Sequence, residues 1–279
     1  MRIRFPRRDF LVGAGAFVMT GAYGRGVSAS STEAGRLYAW YRQQFFDFEP
    51  HLSPLERAYI QRVIELEGDI WSYDVNGQFE YSMITFSHRV SGDRVNSARV
   101  AFASVNHAES LRPVIAEILR HRGVSAETVP EFEHAVGLGW DIEADQLKVY
   151  SYPRKWTALQ DPEMKTLVRG VSGRAIHSHG YVASTFVGNT LVEKKVYVGM
   201  RERLPAEVRR LPFGDSVIHT NLMVTTGRGV VPQVDLRRPA EISGLNGRGQ
   251  ELLKTYETLG ETVDTVAYAN SNEFTLYFP

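Results

Sequence analysis

Ten short stretches of alternating polar and apolar residues, arranged in pairs, limit the folds open to this chain more than any other feature. The pairs read as hairpins at 69–75 with 79–88, 135–142 with 146–152, 180–187 with 191–199, 216–226 with 229–237, and 262–269 with 273–278. Their turns carry Asn76-Gly77, Ala144-Asp145, Gly188-Asn189, Gly227-Arg228-Gly229 and Asn270-Ser271, residue types suited to tight hairpin turns. SARVAFASVN (97–106) is a further strand candidate that could extend the first unit.

A Lys-x-Tyr pattern recurs late in the second strand of these pairs. It stands as Lys148-Val149-Tyr150 and Lys195-Val196-Tyr197, with a relative at Thr275-Leu276-Tyr277. Successive strand side chains point to opposite faces, so the lysines and tyrosines share one face while Leu147, Val149, Val196, Val198 and Leu276 share the other. Amphipathic segments between the hairpins can cover the apolar face. They are 32–66 (broken at Pro50), 107–123, the shorter MKTLVRGVSG and RERLPAEVRRLP, and 248–260. Closing ten antiparallel strands removes both edges and encloses the polar face. The expectation is an α+β fold: a ten-stranded antiparallel β-barrel of five helix-strand-strand-helix repeats, with helices outside and a solvent-filled lumen. Lysines and phenols inside such a lumen suit an anionic ligand.

Composition narrows the partners. The 279 residues carry 32 basic and 32 acidic side chains, a balance that argues against a nucleic-acid or membrane surface as the main partner. The absence of cysteine excludes disulfides, thiolate metal ligands and a thiol nucleophile. Residues 1–29 read as a twin-arginine export signal, with Arg7-Arg8 before a glycine-rich apolar run and small residues Val27-Ser28-Ala29 at the cleavage site. That run is shorter than the roughly 20 residues that span a bilayer, so no stable membrane anchor is expected. Removing residues 1–29 takes away five arginines and one aspartate, leaving 27 basic and 31 acidic residues in a single domain over 30–279. Periplasmic or other extracytoplasmic localisation follows, with a cytoplasmic enzyme as the alternative.

Several segments, in order, carry a resemblance: QQFFDFEP (43–50), ELEGD (65–69) entering the first strand, GLGWDIEADQLKVYSYP (137–153) and the terminal NEFTLYFP. With the Lys-x-Tyr pairs they resemble the αββα-barrel (PT-barrel) aromatic prenyltransferases, most closely the cyanobactin peptide prenyltransferases and more distantly the fungal indole prenyltransferases. The resemblance implies that Glu67 is the general base. It implies that Lys148, Tyr150, Lys195, Tyr197, Gln233 and Tyr277 bind the diphosphate and shield an allylic cation, lysine by charge and tyrosine by its ring face. The bland readings are that Glu67 ends a helix or pairs with an arginine, and that the lysines are surface groups beside ordinary strand tyrosines.

The sequence departs from the family at three positions. Met83 stands where the resemblance expects an arginine, Glu193 precedes Lys195, and Asp235 stands two residues after Gln233 where a tyrosine is expected. Two carboxylates weaken a diphosphate site unless Mg2+ bridges them. His177 and His179, with His219, lack a third ligand at fixed spacing and read as structural or pocket-polar rather than metal ligands. No glycine-rich phosphate loop and no Gly-x-Ser-x-Gly elbow is present.

The resemblance therefore implies a monomeric enzyme that moves a C5 or C10 allylic group from its diphosphate to an aromatic or peptide acceptor, with Mg2+ accompanying the diphosphate and no organic cofactor. The rival expectation is an exported binding protein that holds a small aromatic or anionic ligand in the same barrel. Export itself favours the rival, because allylic diphosphates are made in the cytoplasm.

Overall fold

The computed structural model describes residues 51–70, 82–201, 208, 211, 217–236, 245–258 and 265–278. The expected export signal, the expected helical segment over 32–50 with QQFFDFEP, and Asn76-Gly77 lie outside the described residues, as does nearly all of 202–212.

Ten antiparallel strands close into one barrel: β1 (Ser82–Ser91), β2 (Arg94–Ser104), β3 (Ala135–Asp141), β4 (Gln146–Ser151), β5 (Ile176–Val187), β6 (Thr190–Met200), β7 (Val217–Thr225), β8 (Gly229–Leu236), β9 (Thr265–Asn270) and β10 (Glu273–Phe278). Each strand pairs with its neighbours in sequence, and the last strand returns to the first through Ser87↔Tyr277 and Arg89↔Thr275. The ring thus has no free edge. Four helices of the described chain are α1 (Pro54–Ile70), α2 (Ala108–His121), α3 (Pro162–Arg169) and α4 (Gly247–Thr258). Among the described residues no helix is long and apolar enough to cross a membrane.

The first hairpin differs from the sequence reading. ELEGD does not lead into a strand but continues α1 to Ile70, so the expected strand at 69–75 begins inside a helix and otherwise lies outside the described residues. The apolar stripe Tyr59, Ile60, Val63, Ile64 and Leu66, all buried, holds α1 against the barrel and overrides the glycine at 68 as a stop. The true partner of β1 is β2, the segment set apart at 97–106, and the turn is made at Gly92 with φ +60°. Gly92 reaches the left-handed region without a Cβ penalty, and Asp93 follows it.

The outward faces of the strands form the core with the helices. Leu138, Trp140, Leu147 and Val149 pack with α1 and with Leu111, Ile115, Ile118 and Leu119 of α2. Met164 and Val168 of α3 cover Val182, Val196, Val198, Leu222 and Val224. The starts of α1 and α3 are capped by side chains. Ser53 and Glu56 form a reciprocal capping box on α1, and the Asp161 carboxylate accepts from the Glu163 and Met164 amides of α3. Lys194, pointing outward, adds ion pairs to Asp161 at 2.7 Å and Glu163 at 3.0 Å.

Glu56 does more than cap. Its carboxylate also accepts from the Trp140 indole N–H at 2.8 Å and from Arg122 at 2.8 and 3.0 Å, tying α1, the end of α2 and β3 together. Burial opposes its charge, but the Trp140, Ser53 and Arg122 contacts win and hold its carboxyl below the usual value. Tyr59 hydroxyl donates to the Phe102 carbonyl at 2.8 Å and accepts from the Leu138 amide at 3.2 Å, bridging β2 and β3 from the helix side.

Candidate functional site

Because opposed residues in an antiparallel ladder share a face, the register identifies the inward rows directly. Arg99 opposes Ser87 and Asp141; Lys148 opposes Gly139 and Thr185; Thr185 opposes Glu193; Lys195 opposes Ala183 and Thr225. Tyr150 follows Lys148 on that face, Tyr197 follows Lys195, and Tyr277 opposes Ser87. Their neighbours Leu147, Val149, Val196, Val198 and Leu276 belong to the apolar clusters outside, as alternation requires. Five of the sequence-predicted site residues, Lys148, Tyr150, Lys195, Tyr197 and Tyr277, therefore face the barrel interior.

The interior carries charges of both signs. Arg99 Nε lies 3.0 Å from Asp141 Oδ2, near enough for an ion pair but poorly angled for a hydrogen bond. Lys195 Nζ lies 2.7 Å from Glu193 Oε2. Lys148 is 5% exposed and has no ion pair or hydrogen bond among the described residues. Burial pushes its ammonium well below the usual lysine range. The positive charges of Arg99 and Lys195 push the same way, and Asp141 and Glu193 offset them only in part. Burial lowers Lys195 as well, against the pull of Glu193. Two further polar atoms, Asp141 Oδ1 and Thr185 Oγ1, are shielded and without hydrogen-bond partners.

Around these charges stand the phenols. Tyr150 and Tyr197 rings are 6.3 Å apart, and the Tyr197 hydroxyl donates toward that of Tyr150. Burial raises the Tyr150 hydroxyl to about 12 and carries Tyr197 and Tyr277 upward too, so all three are neutral donors at physiological pH. Gly139 makes room for this arrangement. A Cβ there would lie 2.9 Å from the Tyr150 ring and 3.0 Å from the Val100 carbonyl. Beyond them the Tyr152 and Tyr181 rings meet at 5.1 Å with their planes inclined at 52°, and His179 meets Tyr152 edge-on at 6.1 Å. His177 and His179 sit where the β5–β6 register shifts between Ile176 and Gly180, their rings 6.1 Å apart.

The remaining predicted residues sit elsewhere. Gln233 is half-buried on β8, opposite Asn221 and Ala267, across from the charged cluster. Glu67 lies in the last turn of α1, and its side chain is outside the described residues, as are those of Met83, His219 and Asp235. Sequence reasoning missed Arg99 and Asp141. Arg99 lies on β2, the strand paired with that of Met83. Its signal was present in the alternation Arg99-x-Ala101-x-Ala103 against Val100 and Phe102, once 97–106 is placed in the first hairpin.

A cavity of about 450 Å3 opens near the hairpin turns of β7–β10, lined by Met223, Val231, Ala267 and Thr275, with Arg89, Arg228 and Glu273 among its walls. Glu273 accepts from Arg89 at 2.7 Å and from Arg228 at 3.3 Å. No protein-family model matches the chain, and no curated protein matches it.

Proposed function

We propose that this protein is an αββα-barrel prenyltransferase, with five helix-strand-strand-helix units around a solvent-filled lumen that binds an allylic diphosphate. The observation that supports it most is the meeting of three cations, Arg99, Lys148 and Lys195, with three neutral tyrosines on one interior surface. A departing diphosphate gathers negative charge, which clustered cations and phenol donors stabilise, and ring faces screen the allylic cation from water. Lys148 and Thr185 Oγ1, neither hydrogen-bonded among the described residues, are the groups most ready to take phosphate oxygens. The resemblance assigns proton removal to Glu67; Asp141 and Glu193 are the carboxylates beside the cations. Mg2+ would accompany the diphosphate, and the acceptor would be aromatic or a peptide side chain, met against Tyr152, Tyr181 and the histidines.

A second reading rests on a specific observation. Arg99 and Lys195 are already paired with Asp141 and Glu193, so the cluster's net charge is at most one positive unit, weak for a multiply charged diphosphate leaving group. That favours a binding protein for a small aromatic or singly anionic molecule, and Arg7-Arg8 would place it outside the cytoplasm. Calorimetric titration with dimethylallyl and geranyl diphosphate, with and without Mg2+, separates the two. Binding of either diphosphate supports the transferase. Silence with both, beside tight binding of an unphosphorylated aromatic, supports the carrier. Cell fractionation with Arg7→Lys and Arg8→Lys tests export independently: the mature chain should begin near Ser30 and the variant should retain its signal.

A further inference from the structure

We propose that Glu131, Glu133 and His134, on the turn between α2 and β3, bind one divalent transition-metal ion of the Zn2+ type. Each residue offers a ligand atom, and the three atoms lie within 4.8 Å of one another, close enough for one ion to draw them together. Glu131 is the decisive member. It is 4% exposed, and its Oε2 is shielded with no hydrogen-bond partner. Its Oε1 accepts from the amides of Gln160 and Asp161 at 2.6 Å each, which fixes the carboxylate's orientation. A buried carboxylate oxygen without a donor is costly, and a cation removes that cost. Glu131 also holds a left-handed backbone, φ 61°, unusual for a residue with a long side chain.

The donor set indicates the metal. Imidazole disfavours Mg2+ and Ca2+, whereas one histidine with two carboxylates suits Zn2+ and, less tightly, Mn2+. Three protein ligands leave one coordination position open. Glu133 and His134 are solvent-accessible, so the ion has a path in, and His134 Nε2 already lies 3.8 Å from Glu133 Oε1. The site would clamp the turn before β3 to the loop that begins α3. The Tyr152 amide donates to the His134 carbonyl at 2.8 Å, so that clamp reaches the end of β4, the strand that carries Lys148 and Tyr150.

The test uses the purified chain stripped with a chelator, titrated with Zn2+, Mn2+, Mg2+ and Ca2+ by calorimetry, with thermal unfolding in parallel. One Zn2+ per chain and a Zn2+-dependent rise in Tm are expected. His134→Ala and Glu133→Gln should each weaken Zn2+ binding by roughly tenfold or more, since even groups that only orient a metal ligand are worth that much. Their Tm without metal should match the unaltered chain. A His177→Ala/His179→Ala variant should keep the site. The proposal is overturned by no stoichiometric Zn2+ or Mn2+ binding, by equal affinity for Mg2+ or Ca2+, or by Zn2+ binding that survives His134→Ala and is lost without His177 and His179.

Discussion

The two arcs of the barrel interior are built on the same backbone and furnished oppositely. From β2 to β6 the inward rows carry Arg99, Asp141, Lys148, Tyr150, Glu193, Lys195 and Tyr197. From β7 to β9 the described side chains of those rows are Asn221, Met223, Val231, Gln233 and Ala267, all uncharged, beside the 450 Å3 cavity. One arc gathers cations, carboxylates and phenols on adjacent strands; the other opens on a cavity whose charged walls, Arg89, Arg228 and Glu273, already bond one another.

The largest effect tests whether the charged arc is a reaction centre. Under the transferase reading, Glu67→Gln should lower turnover by roughly 10²- to 10⁴-fold while donor affinity, read by calorimetry, barely changes. Unchanged turnover, with loss on Glu193→Gln, would move the base into the barrel interior. Behind that arc, Glu56→Ala should destabilise the fold by about 3 kcal/mol in denaturant unfolding, because Arg122 and the Trp140 N–H lose their shared acceptor. The same knot is acid-sensitive. Glu56 is held below its usual 4.5, so its contribution is complete above that value and fades as pH falls through the lower folded value.

Smaller effects sharpen the contrast between arcs. Lys148→Ala or Lys195→Ala should weaken diphosphate binding by about 1.5 to 3 kcal/mol, the worth of a charge-assisted contact, whereas Met223→Ala should reduce affinity for the longer prenyl donor more than for the shorter. Equal losses from both arcs would erase the division. Lys148 also sets a pH test. Its proton is lost at a pH well below the ordinary lysine range, so anion affinity should fall as pH rises through that lowered value, and Lys148→Ala should abolish this step. For stability the sign reverses. Between the lowered folded value and the usual 10.5 the unfolded chain binds the extra proton, so stability rises with pH there. Smallest of all, Tyr150→Phe should cost about 1 kcal/mol of anion binding, one hydroxyl's worth.

Much of the barrel is legible because hairpins are local. In β3–β4, β5–β6, β7–β8 and β9–β10 the alternation and turn residues lie within a dozen or so residues of one another, and each hairpin appears where those signals put it. The first hairpin fails for the same reason. Asn76-Gly77 is the stronger local turn signal, but tertiary packing of Tyr59, Ile60, Val63 and Ile64 extends α1 past the point where a strand was expected. A hairpin over 69–88 leaves Arg99 outside the inward rows, whereas the β1–β2 pairing puts it there beside Asp141.

Strand periodicity by itself determined which side chains share a face, and with it the apolar outside and the Lys-x-Tyr inside, because a period of two is a property of the extended chain and needs no partner. Register and closure were decided only in three dimensions. That Ser87 meets both Arg99 and Tyr277, and that Asp141 sits beside Arg99, depends on strands up to 190 residues apart in sequence. The charge balance of the interior follows from those pairings. Glu193 neutralises Lys195 through spacing that the sequence shows, but Lys148 has no ion pair among the described residues because strand register gives Asp141 to Arg99 and sets Lys148 between Arg99 and Lys195.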